Sequence, residues 1–210
     1  MFNSQPNARA IFSGISLAVI AVLCTAGVLY VQADTEEHIQ ANRVRYEQEL
    51  VNKMLPNAQK EATGKITYRC KLISDKLIGK NMRAYIAQDE TGKVLGYISN
   101  YSTNRGYSNP LIMIGAVDSN MRISKIDFMV SKETPGIGDK LDRKKGNYLD
   151  MYDNLSIDDA KWDVKKFGGD FDYITGATVT SRAVALATHD FLKAMQKIDF
   201  ESLKDCKPSN

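Results

Sequence analysis

The chain is organised around one stretch, which reads Asp172-Tyr173-Ile174-Thr175-Gly176-Ala177-Thr178-Val179-Thr180-Ser181. Thr178 is its centre, because the small residues Gly176 and Ala177 remove side-chain bulk beside a hydroxyl that a bulky group could then approach. Gly176 also allows backbone angles that a residue with a Cβ resists. The stretch therefore predicts an accessible threonine hydroxyl in a tight turn.

A helix is predicted directly after this turn, over Ser181 to Lys197, with Thr180 or Ser181 available as the N-cap. Its apolar residues recur at intervals of three or four: Val184, Ala187, Phe191 and Met195. Thr178 would then lie just before a helix N-terminus, where unpaired N–H groups and the positive end of the helix dipole favour an anion such as phosphate. Short turns of this composition are common, so an ordinary strand-to-helix turn is the alternative on chemistry alone.

An apolar segment lies near the start of the chain, where Ala10 to Val31 carry no charge. At about 1.5 Å rise per residue it can cross a hydrocarbon core of roughly 30 Å, which predicts a transmembrane helix. A cleaved signal peptide is the alternative, since Val31-x-Ala33 resembles a cleavage site, although the run exceeds the usual apolar region of ~7–15 residues. The short tail with Arg9 favours a cytoplasmic amino terminus and an exported domain.

The remainder of the chain is predicted to fold as one α+β unit. Thr35 to Leu55 has an amphipathic helical pattern that Pro56 ends, and we expect this juxtamembrane helix to pack on its own domain. Strands are predicted at Lys65–Leu72, Met82–Ala87, Val94–Ser99, Leu111–Val117 and Ile123–Val130. We expect an antiparallel sheet with flanking helices. The predicted segments are a cytoplasmic tail (1–9), a transmembrane helix (10–32), a juxtamembrane helix (33–60) and a domain (61–210).

Composition excludes two classes of protein. Of the 210 residues, 43% are hydrophobic and 25% are charged, which excludes wholesale disorder. The net charge is only +3, and no basic stripe is interleaved with aromatic residues. Nucleic acid is therefore not an expected partner.

Three sequence blocks carry a family resemblance. Asp172-x-x-Thr175-Gly176-Ala177-Thr178 is similar to the D-x-x-[ST]-G-A-T signature of the FMN-binding domain family, in which the phosphate of FMN is joined to the hydroxyl of the last threonine. The run from Glu133 to Lys140, read as E-T-P-G-I-G-D-K, resembles the second signature of the G subunit of the Rnf complex, and the run from Arg105 to Pro110 is similar to its G-Y-x-x-P segment. The chain resembles this G subunit rather than the longer C subunit of the sodium-pumping NADH:quinone reductase. Thr175 stands where the G subunit often has serine.

This resemblance implies an electron-transfer flavoprotein subunit of a membrane-bound, ion-translocating oxidoreductase. It implies an α+β fold in which one amino-terminal transmembrane helix precedes a single periplasmic FMN-binding domain in a bacterial inner membrane. The implied partners are the other membrane and iron–sulfur subunits of the Rnf complex, together with a flavin transferase that uses FAD and Mg²⁺. The chain would be a redox subunit rather than an independent catalyst, with no catalytic residues of its own.

The resemblance also implies a set of cofactor-binding residues around a covalent phosphoester at Thr178, which would make the chain a phosphoprotein. Arg182 or Lys165 would offset the phosphate charge. Tyr107, Trp162 and Tyr173 are candidates for contact with the flavin ring, with core packing as the alternative for each. The full predicted FMN-binding set is Thr178, Thr175, Gly176, Ala177, Asp172, Thr180, Ser181, Arg182, Glu133, Thr134, Gly136 and Tyr107.

Other chemistry has little support in the sequence. His38 and His189 are isolated, and the cysteines lack iron–sulfur or zinc spacing, so no metal site is predicted. A hydrolase using Thr178 or Ser181 as nucleophile is disfavoured, because no histidine lies near either residue and no G-x-S-x-G elbow occurs. A membrane-anchored periplasmic binding or assembly module without covalent flavin remains the alternative function.

The cysteines leave one question open. Cys24 lies in the predicted span, so Cys70 and Cys206 form the only pair in the exported part of the sequence. In an oxidising compartment such a pair is readily understood as a disulfide. The sequence does not give the distance between their Cα atoms, which decides whether the bond can form.

Overall fold

The computed structural model describes residues 8–107, 110–130 and 136–206. The chain divides into two compact units, Met1–Glu49 and Leu50–Asn210. The helices are α1 (Ala8–Met54), α2 (Ala58–Glu61) and α3 (Thr178–Lys197). The strands are β1 (Thr67–Asp75), β2 (Gly79–Gln88), β3 (Val94–Thr103), β4 (Leu111–Asp118), β5 (Ile123–Val130) and β6 (Lys204–Asp205). Short 3-10 helices cover Gly138–Leu141, Tyr148–Tyr152, Lys165–Phe167 and Phe200–Ser202.

Helix α1 carries the apolar segment. Its portion Ile11–Gln32 has 22 residues and is, by length and composition, able to cross a membrane. The helix continues without a break to Met54, two residues before Pro56. Proline disfavours helix at and before its own position, which explains this end. The predicted segment boundaries at residues 9, 32 and 60 stay predictions.

The sheet is antiparallel, with the strand order β5-β4-β3-β2-β1-β6. All the strands predicted from the sequence are present, and the predicted α+β fold is confirmed. Aspartate side chains begin two of the hairpin turns: the Asp89 carboxylate accepts from the Thr91 amide at 2.9 Å, and the Asp118 carboxylate accepts from the Asn120 amide at 2.8 Å. Such side-chain bonds are why aspartate is frequent at the start of turns.

Different parts of the chain cover the two faces of the sheet. On one face, the Phe191 ring of α3 stacks on Tyr101 of β3, with ring centroids 4.7 Å apart. Gly115 of β4 leaves room for this pair, since a Cβ there would lie 2.8 Å from the Phe191 ring. Side chains alternate along β3, so positions 96 and 101 point to opposite faces of the sheet. Leu55, which lies against Gly96, therefore packs on the other face. The packing of α3 fixes where its first turn lies.

The end of α1 is buried, together with residues that follow it. Leu50, Val51 and Met54 are buried, and so are Leu55 and Ala58 after them. Burying a large aliphatic side chain stabilises a fold by about 1.5–3 kcal/mol. The last turn of α1, from Leu50 to Met54, is therefore part of the domain core rather than a solvated spacer.

A carboxy-terminal strap follows α3, and we use this name for residues 198–206. Phe200 stacks on Tyr97 with ring centroids 4.2 Å apart, and β6 then pairs with β1. Cys206 forms a disulfide with Cys70, their Cα atoms being 5.4 Å apart. This distance is typical of disulfides, and it answers the question that the sequence left open.

Candidate functional site

Thr178 is the first residue of α3. Ala177 occupies the N-cap position and forms no side-chain cap, while Gly176 has a φ of +87°, in the left-handed region that glycine adopts without strain. The prediction that Thr180 or Ser181 caps the helix is wrong, because both lie within its first turn and are buried. Thr178 thus stands at the N-terminus itself, where first-turn amides have no acceptor within the helix.

The hydroxyl of Ser181 holds the turn from inside. It donates to the Ala177 carbonyl at 2.9 Å and accepts from the Ile174 amide at 3.2 Å. The Ala177 amide in turn donates to the Ile174 carbonyl at 2.8 Å. Because the Ser181 side chain is fully buried, it acts as a brace across the turn and does not face a ligand.

Replacing Ser181 with alanine is expected to destabilise the domain, because the Ile174 amide loses its side-chain acceptor. An unsatisfied buried polar group costs about 1–3 kcal/mol. The measurement is urea unfolding of the full-length chain, followed by the fluorescence of Trp162. Thr175→Ala is the control, since Thr175 is exposed and its loss should change stability by less than about 0.5 kcal/mol. Equal midpoints for the two variants would show that the turn does not need the brace.

A cavity of about 410 Å³ opens beside Thr178. This volume lies within the range of about 300–1,000 Å³ typical of small-molecule sites. The predicted residues that line it are Tyr107, Gly176, Ala177, Thr178 and Thr180, and the structure adds Ile137, Gly138 and Val179. Tyr107, Val179 and Ile137 expose 75%, 51% and 43% of their surfaces, so the cavity has an apolar, accessible rim.

Sequence reasoning missed Ile137, Gly138 and Val179 as site residues. All three lie inside the quoted blocks, so their neighbourhood was available from the sequence. Their apolar character predicts burial, however, and only the structure reveals that Ile137 and Val179 are exposed at the cavity rim.

Arg182 and Lys165, the cations predicted to offset a phosphate, both form ion pairs within the chain. The Arg182 Nε and Nη2 atoms donate to the Asp163 carboxylate at 2.9 and 2.8 Å, and the guanidinium lies 4.1 Å from the centre of the Phe167 ring. Lys165 Nζ lies 2.7 Å from Asp172 Oδ1. Burial alone would raise the pKa of Asp163, but the Arg182 hydrogen bond and charge, with a backbone amide, hold that pKa below its ordinary value.

The remaining predicted residues do not line the cavity. Thr175 is exposed, and the Asp172 carboxylate is engaged with Lys165. Gly136 is exposed with a φ of +79°, the conformation that a Pro-Gly type II turn requires. Glu133 and Thr134 lie outside the described residues.

The three aromatic candidates for flavin contact lie in different environments. Tyr107 lines the cavity, whereas Tyr173 is not among the described lining residues and exposes 40% of its surface. Trp162 is buried, and its indole N–H donates to the Ile157 carbonyl at 2.7 Å. Its ring also packs against Phe171 at an angle of 42°, so core packing accounts for Trp162.

The described lining offers nothing that would activate a catalytic nucleophile, since it contains no carboxylate, imidazole or amine. His189 lies on α3, 11 positions after Thr178, which is about 16 Å at ~1.5 Å rise per residue. Its ring stacks on Trp162, with centroids 5.5 Å apart. With the Ser181 hydroxyl also bound to the backbone, the hydrolase alternative has no geometric support.

Comparison with known families defines the class of this site. A model of the FMN-binding domain matches residues 106–193. The matched segment contains Tyr107, the Thr178 turn and most of α3. The cavity therefore lies within a segment that matches an FMN-binding domain.

Relatives match over most of the chain. The G subunit of the ion-translocating oxidoreductase complex of Shewanella baltica is 32% identical over 181 residues, covering 83% of this chain and 84% of that protein. The G subunit of Vibrio cholerae is 31% identical over 180 residues, covering 83% of this chain and 85% of that protein. The G subunit of Photorhabdus laumondii is 28% identical over 200 residues, covering 92% of this chain and 94% of that protein. The chain belongs to the family of G subunits of ion-translocating oxidoreductase complexes. The crystal structure of Shewanella oneidensis NqrC is similar with a TM-score of 0.44 and 22% identity, covering 59% of this chain and 63% of that one.

Proposed function

We propose that this chain is an electron-transfer flavoprotein subunit of a membrane-bound, ion-translocating oxidoreductase complex, and that it carries FMN joined through a phosphoester to Thr178. The observation that carries the proposal is the position of Thr178, which is half-buried at the start of α3. It lines a cavity in which its neighbours Gly176 and Ala177 have little or no side chain. Membership of the G-subunit family supports the role in electron transfer.

The residues present fit the phosphate end of FMN. A phosphodiester keeps about one negative charge, and the first-turn amides and dipole of α3 are suited to an anion at that point. Because Arg182 and Lys165 are paired with carboxylates, the helix terminus would supply most of the compensation. The exposed rim formed by Tyr107, Ile137 and Val179 would offer apolar surface to the remainder of FMN. When bound, FMN supplies the redox chemistry.

Attachment requires a separate flavin transferase, because the described cavity lining has no group that could deprotonate Thr178. In the proposed step, the Thr178 oxygen forms a bond to the FMN phosphorus of FAD, and the bond between the two phosphates breaks. AMP leaves, and the hydroxyl proton passes to the transferase or to solvent. The products are the threonyl phosphoester of FMN and AMP, and Mg²⁺ would be supplied with the transferase.

Fluorescence under denaturing conditions tests this proposal. Full-length chain from cells that contain a flavin transferase should give a fluorescent band under ultraviolet light after denaturing electrophoresis, because only a covalent flavin stays with an unfolded chain. Protein from cells without the transferase is the control and should give no band. The absence of a fluorescent band from both samples would favour the alternative function, a membrane-anchored binding or assembly module without covalent flavin.

We also propose that the chain is anchored in the bacterial inner membrane by the apolar part of α1, with the domain in the periplasm beside the membrane and iron–sulfur subunits of the complex. The short tail with Arg9 supports this orientation. The disulfide between Cys70 and Cys206 supports it independently, because such bonds persist in oxidising compartments.

Protease added to spheroplasts is expected to digest the domain while the cytoplasmic membrane is still intact. An antibody against the carboxy terminus, with a cytoplasmic marker protein as the control, follows the digestion. If the domain resists the protease until detergent opens the membrane, the orientation is the reverse of the one proposed.

A further inference from the structure

Tyr148 contacts the segment that carries Thr178, although no sequence signature includes it. The residue begins the 3-10 helix Tyr148–Tyr152 and is buried. Its hydroxyl donates to the backbone carbonyl of Asp172 at 2.7 Å. Asp172 opens the stretch that ends in the Thr178 turn, so the contact lies at the beginning of that stretch.

The stretch is held in its middle and at its beginning, by Ser181 and Tyr148, whose hydroxyls lie close to each other. Ser181 braces its middle through Ile174 and Ala177. At its beginning, the side-chain pair between Asp172 and Lys165 is solvent-exposed, with 68% and 59% of the two side chains accessible, and such pairs contribute little. The hydrogen bond from the buried Tyr148 is better shielded from solvent than this ion pair, so it restrains Asp172 more strongly.

The chemistry of Tyr148 suits this role. Burial raises the pKa of its hydroxyl above the ordinary value, so the group keeps its proton and remains a donor throughout the physiological pH range. Tyr148 also lines a second cavity, of about 770 Å³, together with Ile174 of the same stretch. Loss of the Tyr148 hydroxyl would remove its hydrogen bond to Asp172 and loosen the stretch beside this cavity.

We propose that Tyr148 is a positioning residue for the loading of FMN onto Thr178. This inference rests on the proposed function. By fixing the Asp172 carbonyl, Tyr148 limits the conformations of the turn, so that the Thr178 hydroxyl is presented to the transferase in one orientation. A residue that fixes the orientation of a reacting group raises the rate of the bond-forming step, even though it does not contact the reacting atoms.

The test compares Tyr148→Phe with Tyr152→Phe in the full-length chain. Both variants remove one buried hydroxyl from the same 3-10 helix. The Tyr152 hydroxyl lies beside that of Tyr148 but has no hydrogen bond to residues 172–178, so it controls for the loss of a neighbouring hydroxyl. Loading is measured as the rate of gain of FMN mass with purified transferase, FAD and Mg²⁺. In Tyr148→Phe we expect loading to slow by roughly threefold to tenfold, as the net loss of one hydrogen bond implies, and in Tyr152→Phe to stay within about twofold.

Amide hydrogen exchange of the unloaded proteins gives a readout that does not depend on flavin. Peptides covering residues 172–178 should exchange several-fold faster in Tyr148→Phe than in the wild type or in Tyr152→Phe, while peptides from the strands stay unchanged. Equal exchange and equal loading in the two variants would overturn the proposal, and so would faster exchange across the whole domain, which indicates a merely structural role. If the wild type gains no FMN mass, the proposed function fails, and the role of Tyr148 in loading fails with it.

Discussion

Thr178→Val is expected to remove covalent FMN completely. Valine has nearly the shape of threonine and lacks only the hydroxyl, so the first turn of α3 should form as before. Without that oxygen no phosphoester can form, and the effect is a total loss rather than a graded one. The measurement is the intact mass of full-length chain co-expressed with a flavin transferase, where the wild type should carry an increment equal to FMN minus water.

Three matched variants make this result specific. Thr178→Ser keeps a hydroxyl at the same position and should still be loaded. Thr175→Ala and Thr180→Ala remove neighbouring hydroxyls, one exposed and one buried, and both should retain the increment. An increment that survives in Thr178→Val would move the attachment to another residue, and loss of the increment in Thr175→Ala would point to a second required hydroxyl.

The sheet was predictable from the sequence because strand patterns and turn chemistry are local. The runs later found as β2, β3, β4 and β5 are apolar and bounded by turn residues such as Asp89 and Asp118, whose side chains bind the turn amides. Strand β6 was not predicted, because it has only two residues, Lys204 and Asp205, and exists through pairing with distant β1. Neither periodicity nor composition can reveal a strand of that length.

The site was predictable in its backbone but not in its side-chain partners. Gly176 was expected to adopt an unusual conformation, and its φ of +87° confirms this. The helix start was placed too late because Thr180 and Ser181 are good capping residues, and nothing local reveals that the Ser181 hydroxyl is held by Ile174 and Ala177. The partners of a side chain depend on tertiary packing, which a single sequence does not encode locally.

The same limit applies to Arg182. Its closeness to Thr178 in the sequence makes it a candidate to offset the phosphate charge. The structure instead pairs it with Asp163 and places its guanidinium over the ring of Phe167, which ends the 3-10 helix Lys165–Phe167. A basic residue near a predicted anion site is therefore weak evidence for contact unless its nearby carboxylates are accounted for.

Breaking the disulfide is expected to produce the largest loss of stability. Cys70 and Cys206 are separated by 136 positions, and a bond that closes so long a loop removes much of the conformational entropy of the unfolded chain. The entropy model gives a contribution of roughly 4–5 kcal/mol before any strain is subtracted. We expect the urea midpoint of Cys70→Ser/Cys206→Ser to fall by about 2 M, for a slope of roughly 2 kcal/mol per M. Trp162, the single tryptophan, reports the transition from its buried position.

Cys24→Ser is the matched control, because Cys24 is exposed on α1 and forms no disulfide. It should leave the midpoint unchanged, and the reductant dithiothreitol should lower the midpoint of the wild type and of Cys24→Ser but not that of the double variant. The strap would keep its other contacts, among them the pairing of β6 with β1, the ion pairs of Arg69 with Glu201 and of Lys71 with Asp205, and the stacking of Phe200 on Tyr97. Glu201 and Asp205 are solvent-exposed, so these pairs contribute little. An unchanged midpoint in the double variant would therefore show that the packing of Phe200 and the pairing of β6 with β1 hold the end of the chain against the sheet without the bond.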